Sequence, residues 1–366
     1  MVDERTHYIP SGCAISGIMD ESGARFSGHD IIESIASMHF RSNGLGGGFA
    51  VYGLFPDHAD DYCLQMMYDT PAGRDAAEAF LRDRFEIVAS EEIPTRPLTV
   101  IKNRPILWRY FVKVLPRMTE RFYELTEEDI VADAVIEINR RVDGAFVSSS
   151  GKDMAVFKGM GYPEDIGQFF RLEEYQGHLW TAHGRFPTNT SAWWGGAHPF
   201  SLLDWTVVHN GEISSYGINR RYLENFGYHC ALHTDTEVIC YLVDLLARKH
   251  KLNFSQVAMA LAAPFWDEIE RMPPEEREVA RALRVTYGGA LLNGPFSVVI
   301  GHRGGMVGLN DRIKLRPMVA ARKGAKVYIC SEESAIRAVC PDPEKVWAAE
   351  GGQPIVAQLK TPAMAV

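Results

Sequence analysis

Hydrophobic and polar positions along the chain predict strands near both ends and helices between them. The apolar run at 14–20 is typical of a buried strand, and a polar turn follows it. Residues 29–40 place three isoleucines and Met38 on one side of a helix. Thr126 and Thr234 each precede an acidic residue three positions later, and this capping-box spacing predicts two further helix starts.

Two segments, 145–159 and 294–311, have the pattern of β-hairpins, with short apolar runs on either side of a polar turn. Segment 97–116 predicts two strand pieces that are broken at Pro105. A doubly wound parallel sheet would require regular strand–helix alternation and a glycine-rich first turn, and the sequence has neither. The pattern therefore predicts an α+β fold in which helices cover antiparallel sheets.

Composition narrows the class of protein. The 366 residues suffice for one large domain or two ordinary ones, and 46 % of them are hydrophobic, which is enough for a substantial core. The formal net charge is −9 and there is no long basic block, so we do not expect nucleic acid as a partner. No apolar run reaches the ~18 residues of a membrane span, and the N-terminus lacks an apolar signal region. We therefore expect a cytoplasmic protein without a membrane partner.

The six cysteines include no CxxC pair, so we expect free thiols. Most lone cysteines are small core hydrophobes, and this is the simplest interpretation of Cys13. Its position suggests a second interpretation, because removal of the polar leader at 1–12 would leave Cys13 with both a thiol and a free α-amine. An α-amine titrates near pKa ~8 and can accept a proton near neutral pH, as in N-terminal threonine hydrolases.

Three polar motifs follow this cysteine along the chain. The first, within 183–200, offers a guanidinium group at Arg185 that suits a carboxylate, and hydrogen-bonding groups at Thr188 and Asn189. A surface arginine in a polar loop is the alternative interpretation of this stretch.

The second motif, HNGE, comes directly after an apolar strand. The side-chain amide of Asn210 and the backbone N–H of Gly211 would form a two-donor oxyanion hole. Asn-Gly is also the strongest signal for a type I′ hairpin turn. The third motif places Asp235 at a helix start, where a carboxylate either caps the helix or pairs with a ligand ammonium group. Five histidines between 183 and 233 lack the spacing of known zinc motifs, so we expect no metal site.

Together these motifs resemble the class II glutamine amidotransferases, in particular the glutaminase domain of glutamate synthase. The resemblance runs from Cys13 to about residue 340, with Ala14 where the family usually has glycine. Residues from about 55 to 175 contain no matching motif, and we expect an elaboration there. The matching stretches are TAHGRFPTNT, VHNGEI, HTDTEVI, GPFSVVI, LNDRIKLRP and SEES.

The resemblance implies a four-layer αββα sandwich of the N-terminal-nucleophile hydrolase type. It implies a leader at 1–12 and a class II glutamine amidotransferase domain at 13–366. The catalytic residues that it implies are the nucleophile Cys13 and the oxyanion-binding pair Asn210 and Gly211. The substrate-binding residues that it implies are Arg185 for the α-carboxylate of glutamine, Asp235 for its α-amino group, and Thr188 and Asn189 elsewhere in the pocket.

The resemblance also implies an activity and a partner. It predicts a subunit that hydrolyses L-glutamine to glutamate and ammonia, and delivers the ammonia to a separate synthase subunit. The chain ends where glutamate synthase would continue into its FMN and iron–sulfur region, so we expect those cofactors on the partner and no cofactor in this chain. Assembly into a homo-oligomer is compatible with this picture.

Two alternatives remain open. The chain could be a catalytically silent glutamine-binding regulatory module that retains its leader, or a different N-terminal-nucleophile hydrolase that acts on another amide. A mature chain that begins at Cys13 would favour an enzyme, whereas a chain that keeps Met1 would favour the regulatory module.

Overall fold

The computed structural model describes residues 12–187 and 192–360. The strands are β1 Ala14–Asp20, β2 Phe26–Ser27, β3 Gly47–Tyr52, β4 Tyr62–Tyr68, β5 Phe85–Glu92, β6 Ile106–Val114, β7 Ala145–Ser149, β8 Met154–Gly159, β9 Gln176–Gly177, β10 Leu179–Gly184, β11 Phe200–Leu202, β12 Trp205–Gly211, β13 Phe296–His302, β14 Gly305–Asn310, β15 Val319–Lys323, β16 Lys326–Cys330, β17 Lys345–Ala348 and β18 Ile355–Gln358.

Eleven α-helices are interspersed with these strands over the described ranges. They are α1 His29–Ala36, α2 Pro71–Arg84, α3 Pro116–Arg121, α4 Glu127–Arg141, α5 Pro163–Phe169, α6 Tyr216–Glu224, α7 Asp235–Val243, α8 Phe254–Leu261, α9 Trp266–Arg271, α10 Pro274–Thr286 and α11 Glu333–Val339. Helix α7 continues directly into π-helical turns at Asp244–Lys249.

Two antiparallel sheets stack at the centre of the molecule. The first has the strand order β17-β15-β16-β1-β10-β3-β8, and the second has the order β11-β12-β13-β14-β18. Strands β1 and β10 of the first sheet contact β12 and β13 of the second. Helices α1, α5 and α11 cover the outer face of the first sheet, and α7 covers the outer face of the second. The α+β fold and the four-layer αββα sandwich predicted from the sequence are confirmed.

Strand β1 is buried on both faces, which explains its nearly continuous apolar sequence. Ile15 and Met19 belong to the core between the two sheets, whereas Ala14 and Ile18 belong to the core beneath the outer helices. Gly17 lies directly against the second sheet, because a Cβ atom there would come within 2.5 Å of the sulfur of Met306, and that side chain would have to move. This strand therefore holds the residue before it, Cys13, at one end of the sandwich.

Much of the segment without matching motifs builds a separate four-stranded sheet with the order β5-β6-β4-β7. Helix α4 packs against β6 and β7, and α2 packs against β4 and β5. The capping box predicted at the start of α4 is present, because the Thr126 hydroxyl accepts the backbone N–H of Asp129 at 3.2 Å and the Asp129 carboxylate accepts that of Thr126. The remainder of this segment supplies β8 and α5 to the sandwich.

Two predictions about individual elements are wrong. The runs within 145–159 do not pair with each other, because β7 pairs with β4 and β8 pairs with β3 in different sheets. Both runs are largely buried on both faces, and a two-stranded ribbon could not provide that cover. Within 97–116 only β6 is a strand, and it pairs with β5. The sequence of β5 is rich in exposed acidic residues, as edge strands often are, and for this reason its pattern did not predict a strand.

The hairpin predicted at 294–311 is confirmed as β13 and β14, which pair in register from Ser297 opposite Asn310. Among the described helices, none is long and apolar enough to cross a membrane.

Candidate active site

Several strand ends converge on one cavity of about 480 Å³. Ala14 of β1 pairs with Gly184 of β10, so Cys13 and Arg185 lie beside each other at the ends of adjacent strands. Strand β12 of the second sheet brings Asn210 to the same cavity, and the start of α7 brings Asp235. The cavity size is within the range of small-ligand sites. The fold therefore assembles groups that lie far apart in the sequence.

Cys13 is half-buried at the cavity wall. The backbone N–H of Phe186 donates to its sulfur at 3.4 Å. Burial raises the pKa of the Cys13 thiol, against the lowering effects of that N–H and of the positive charges of Arg185 and Arg316. The thiol is therefore protonated at neutral pH, and a nucleophilic role requires a base close to the sulfur.

Arg185 is 4 % exposed and lines the cavity with its guanidinium group next to Cys13. Its backbone N–H donates to the carbonyl of Gly46 at 2.8 Å, and its carbonyl accepts the Ser42 hydroxyl at 3.2 Å. The glycine-rich run after α1 is thus used for close backbone approach, because a Cβ atom at Gly48 would lie 2.2 Å from the carbonyl oxygen of His198. This packing holds the arginine in place from behind.

Asn210 is 1 % exposed, and both polar atoms of its side-chain amide lack a hydrogen-bond partner among the described residues. A buried amide without partners is costly, so an unpartnered one at a cavity wall is a candidate ligand contact. The residue lies within β12, opposite Ser297 of β13. The alternative interpretation of Asn-Gly as a hairpin turn is therefore wrong, because the pair ends a central strand.

Gly211 has a positive φ of 150°, and a Cβ atom there would lie 2.0 Å from the carbonyl oxygen of Pro295. Only glycine fits at this position, because the neighbouring strand passes directly over it. The close contact orients the strand end that carries Asn210 and Gly211, and both line the cavity.

Asp235 is the first residue of α7 and connects two of the predicted motifs. Its carboxylate accepts the backbone N–H of Ile213 at 3.0 Å and lies 3.6 Å from Nδ1 of His209. Burial alone would raise the pKa of Asp235, but the interactions with His209 and the Ile213 N–H outweigh it and lower that pKa. The carboxylate therefore stays ionised at neutral pH and can receive a cationic group from the cavity side.

Three of the five clustered histidines are buried at the cavity, and two of them, His198 and His209, line it. His183 and His198 stack with ring centroids 4.0 Å apart, and the ring of His198 hydrogen-bonds to the Thr236 hydroxyl at 2.7 Å. Burial lowers the pKa of His183 to about 3 and the pKa of His198 well below its usual value, so both rings are neutral. His209 shares the Thr236 hydroxyl, at 3.2 Å. These histidines support the wall of the cavity.

Two arginines near Cys13 were not predicted as site residues from the sequence. Arg316 lines the cavity, and Arg41 donates through Nε to the carbonyl of Cys13 at 3.1 Å. Both guanidinium groups lie within 4 Å of the position that a Cβ atom would occupy on Gly12. Asp311 accepts backbone N–H groups of the following turn and so shapes the segment that presents Arg316. The D-R-x-x-L-R-P sequence motif of this turn could have identified Arg316 as a site residue.

The predicted site residues thus fall into two groups. Cys13, Arg185, Asn210, Gly211 and Asp235 all line the one cavity. Thr188 and Asn189 lie outside the described residues, and their place in the pocket stays a prediction.

A site of this kind, with a cysteine at the start of a central strand and an unpartnered amide across from it, is typical of an amide-cleaving enzyme. Residues 99–234 match the family described as glutamine amidotransferases class-II. This stretch, a little over a third of the chain, is similar to the class II glutamine amidotransferases. The match includes Arg185 and Asn210 and stops just before Asp235.

Relatives extend over much of the chain. An uncharacterized protein from Archaeoglobus fulgidus is 50 % identical over 352 residues, which are 95 % of this chain and 93 % of that protein. The glutamine–fructose-6-phosphate aminotransferase (isomerizing) of Pseudomonas aeruginosa is 27 % identical over 238 residues, covering 60 % of this chain and 35 % of the enzyme. The chain therefore spans about a third of the length of that enzyme.

A solved structure of similar shape is the glutamine phosphoribosylpyrophosphate amidotransferase from B. subtilis, in complex with ADP and GMP. The sequence identity is 14 % and the TM-score is 0.47, with 94 % of this chain and 47 % of that chain covered.

Proposed function

We propose that this protein hydrolyses L-glutamine to glutamate and ammonia, with Cys13 as the nucleophile. The observation that carries the proposal is that Cys13, Arg185, Asn210 and Asp235 line one cavity. The cavity thus combines a nucleophile, a cation for the α-carboxylate, an amide donor and an anion for the α-amino group. A free α-amino acid with a side-chain amide matches these four groups at once.

The proposed reaction begins with attack of the Cys13 sulfur on the side-chain amide carbon of glutamine. The tetrahedral oxyanion accepts hydrogen bonds from the Asn210 side chain and the Gly211 backbone N–H. The α-amine of Cys13 takes the thiol proton and passes it to the leaving nitrogen, so that the C–N bond breaks and ammonia departs. Water then attacks the thioester, releases glutamate and restores the thiol.

The proposal requires that the leader at 1–12 is removed. While Gly12 is attached, the nitrogen of Cys13 is an amide and cannot act as a base. Gly12 lines the cavity, so the peptide bond to be cleaved is next to the proposed catalytic groups. Because burial raises the pKa of the Cys13 thiol, a freed amine beside it would supply the base that the site otherwise lacks.

Intact-mass measurement of the purified protein, combined with a glutaminase assay, tests this requirement. We expect active protein to have lost residues 1–12 and to begin at Cys13. A variant with an extra alanine between Gly12 and Cys13 is the matched control, because it keeps the thiol but displaces the cleavage point. Glutaminase activity in a chain that retains Met1 would contradict the proposed base.

The Asp235→Asn substitution tests the binding of the α-amino group. We expect the KM for glutamine to rise roughly 10- to 100-fold, because a charge-assisted hydrogen bond becomes a neutral one. The side-chain oxygen of the introduced asparagine can still accept the Ile213 N–H, but the charge interaction with His209 is lost, so we expect only a small decrease in the thermal midpoint. Asp267→Asn is the control, since that side chain is 71 % exposed on α9. An unchanged KM in steady-state assays would remove Asp235 from the substrate site.

We further propose that the ammonia is delivered to a separate synthase subunit, one of the glutamate synthase type that carries FMN and an iron–sulfur cluster. The support is the amino-acid sequence of the motifs HGRFPTNT, HNGEI and DRIKLRP, which resemble motifs in the glutaminase domain of that enzyme. Affinity purification from the native source tests this. Recovery of a flavin-containing partner that increases the glutaminase rate is expected, and full activity alone without any partner would contradict it.

A further inference from the structure

A second cavity, of about 660 Å³, lies between the four-stranded sheet and the sandwich. Its walls include Met67 and Phe146 from the four-stranded sheet and the loop at 100–105. Trp193 and Trp194 close it from the other side. The cavity is at least as large as the candidate glutamine site and shares no lining residue with it. Nothing in the proposed reaction uses it.

Trp193 is built as an aromatic platform at the mouth of this second cavity. Its side chain is 40 % exposed although its ring is firmly held. The ring packs edge-to-face on Phe146, with centroids 5.2 Å apart. It also lies on the backbone of Gly195 and Gly196, where a Cβ atom would come within 2.2 and 2.5 Å of ring atoms. A fixed and exposed indole of this kind provides a surface for stacking by a planar ring.

The neighbouring wall is cationic. Lys102 and Arg104 are exposed on the loop at 100–105, and neither has an ion-pair partner among the described residues, although Nη1 of Arg104 donates to the Thr95 hydroxyl at 3.2 Å. Asp69 is the acidic residue of the lining, so the wall carries one net positive charge. The indole nitrogen of Trp194, another residue of the lining, is buried and has no hydrogen-bond partner in the described ranges. The lining thus combines a stacking surface, cations and an unused donor.

Leu232 connects the two cavities. It lines the second cavity, and the next three residues, His233, Thr234 and Asp235, line the candidate glutamine site. The sequence predicted that Glu237 completes a capping box with Thr234, but the structure places it elsewhere. Its carboxylate accepts the backbone N–H groups of Ala231 and Leu232, at 3.0 and 2.9 Å.

The segment from Leu232 to Asp235 is therefore short and held at both ends. Glu237 fixes its beginning, and the first turn of α7 fixes its end. His233 in its middle has a left-handed backbone conformation with φ of 54°. A displacement of Leu232 by a ligand would consequently be transmitted to Asp235 within three residues.

We propose that the second cavity binds a planar aromatic or heteroaromatic anion, and that this ligand acts through Leu232 on the segment that carries Asp235. The coupling rests on the proposed function, because it concerns the affinity for glutamine. The binding itself does not depend on that function. The anionic group of the ligand contacts Lys102 and Arg104, and its ring stacks on Trp193.

Calorimetric titration of the Cys13→Ala chain with three probes of the same ring tests the binding. We expect 1-naphthyl phosphate or 1-naphthoate to bind at least about tenfold more tightly than neutral 1-naphthol, because the cations recognise the anion. Whichever of the two anions has the lower Kd shows whether the site prefers a phosphate or a carboxylate ligand. Equal affinity for 1-naphthol, or no saturable binding of either anion, would overturn the proposal.

Two tryptophan variants locate the bound ring. Trp193→Ala should weaken binding of the tighter anion about tenfold, through loss of stacking. Trp266→Ala is the matched control, since that side chain is 47 % exposed on helix α9 and does not line the cavity. This variant should bind the anion as tightly as the parent chain does. Equal affinities of the two variants would place the probe elsewhere and overturn the site.

The coupling is measured with glutamine as the second ligand. We expect the Kd for L-glutamine to shift about fivefold or more in the presence of saturating anion, and the Kd for the anion to shift by the same factor with saturating glutamine. Anion binding without any shift would overturn the coupling. Failure of glutamine to bind would overturn the proposed function and the coupling together, while the anion titration would still report on the site itself.

Discussion

Replacement of Cys13 by alanine should abolish glutamine hydrolysis, with a loss in kcat on the order of 10⁶-fold, as expected for a covalent nucleophile. The cavity should still bind glutamine, because Arg185, Asn210 and Asp235 remain in place. The folded state should be nearly unaffected, since the residue is half-buried and the hydrogen bond from the Phe186 N–H to its sulfur is long, at 3.4 Å. Steady-state assays with calorimetric glutamine binding measure both effects.

Cys230→Ala is the control for this substitution. Cys230 is also a half-buried free thiol, but it does not line the cavity. Its loss should leave kcat unchanged. Residual activity of the Cys13→Ala chain within about tenfold of the parent would contradict the nucleophile assignment, and the hydrolysis would then require another group.

Replacement of Asn210 by alanine should reduce kcat about 10²- to 10³-fold, which corresponds to about 3 to 4 kcal/mol of lost transition-state stabilisation. The same change should leave the free energy of unfolding equal or slightly higher. Both polar atoms of this buried side chain lack partners among the described residues, so their removal gives up no hydrogen bond and relieves a desolvation cost. A residue with only a structural role would show the opposite pattern, with lost stability and retained turnover.

The Asn210→Asp substitution distinguishes loss of the amide hydrogen-bond donor from loss of side-chain volume. Aspartate is nearly isosteric but places an acceptor where the oxyanion would form, so its kcat should be at or below that of the alanine variant. Thermal unfolding and kcat measured on the same samples provide the comparison. Loss of stability together with retained kcat in the alanine variant would contradict the oxyanion role.

Local sequence patterns predicted the elements whose surroundings are simple. The helix that begins after Thr126 and the hairpin at 294–311 were predictable because capping and turn chemistry lie within a few residues. The pairing partners of the strands at 145–149 and 154–159 were not predictable, because each of these strands pairs with a strand from a distant part of the chain. Similarly, the hairpin signal of Asn-Gly at 210 was overridden by tertiary pairing with β13.

The candidate site shows the same division. Arg185, Asn210 and Asp235 stand in recognisable local motifs, so their presence in one cavity could be anticipated from the sequence. Arg316 belongs to a motif whose chemistry is visible only when the fold brings it beside Cys13. Glu237 was misassigned because its spacing from the threonine before α7 fits a capping box, whereas in the structure its carboxylate binds the backbone N–H groups of the preceding loop. The role of Arg316 depends on contacts between distant segments, and that of Glu237 depends on the course of the loop before α7, so residue spacing alone predicts neither.

The location of Gly12 in the wall of the candidate glutamine cavity has a practical consequence for recombinant production. If the leader is removed as proposed, an affinity tag fused ahead of Met1 would be lost with it, and a tag fused directly to Cys13 would acylate the nitrogen that the proposed reaction needs. Strand β18, by contrast, ends at Gln358 on the edge of the second sheet, and none of its residues lines the cavity. An affinity tag for this protein is therefore better placed on the C-terminal side of β18 than before Cys13.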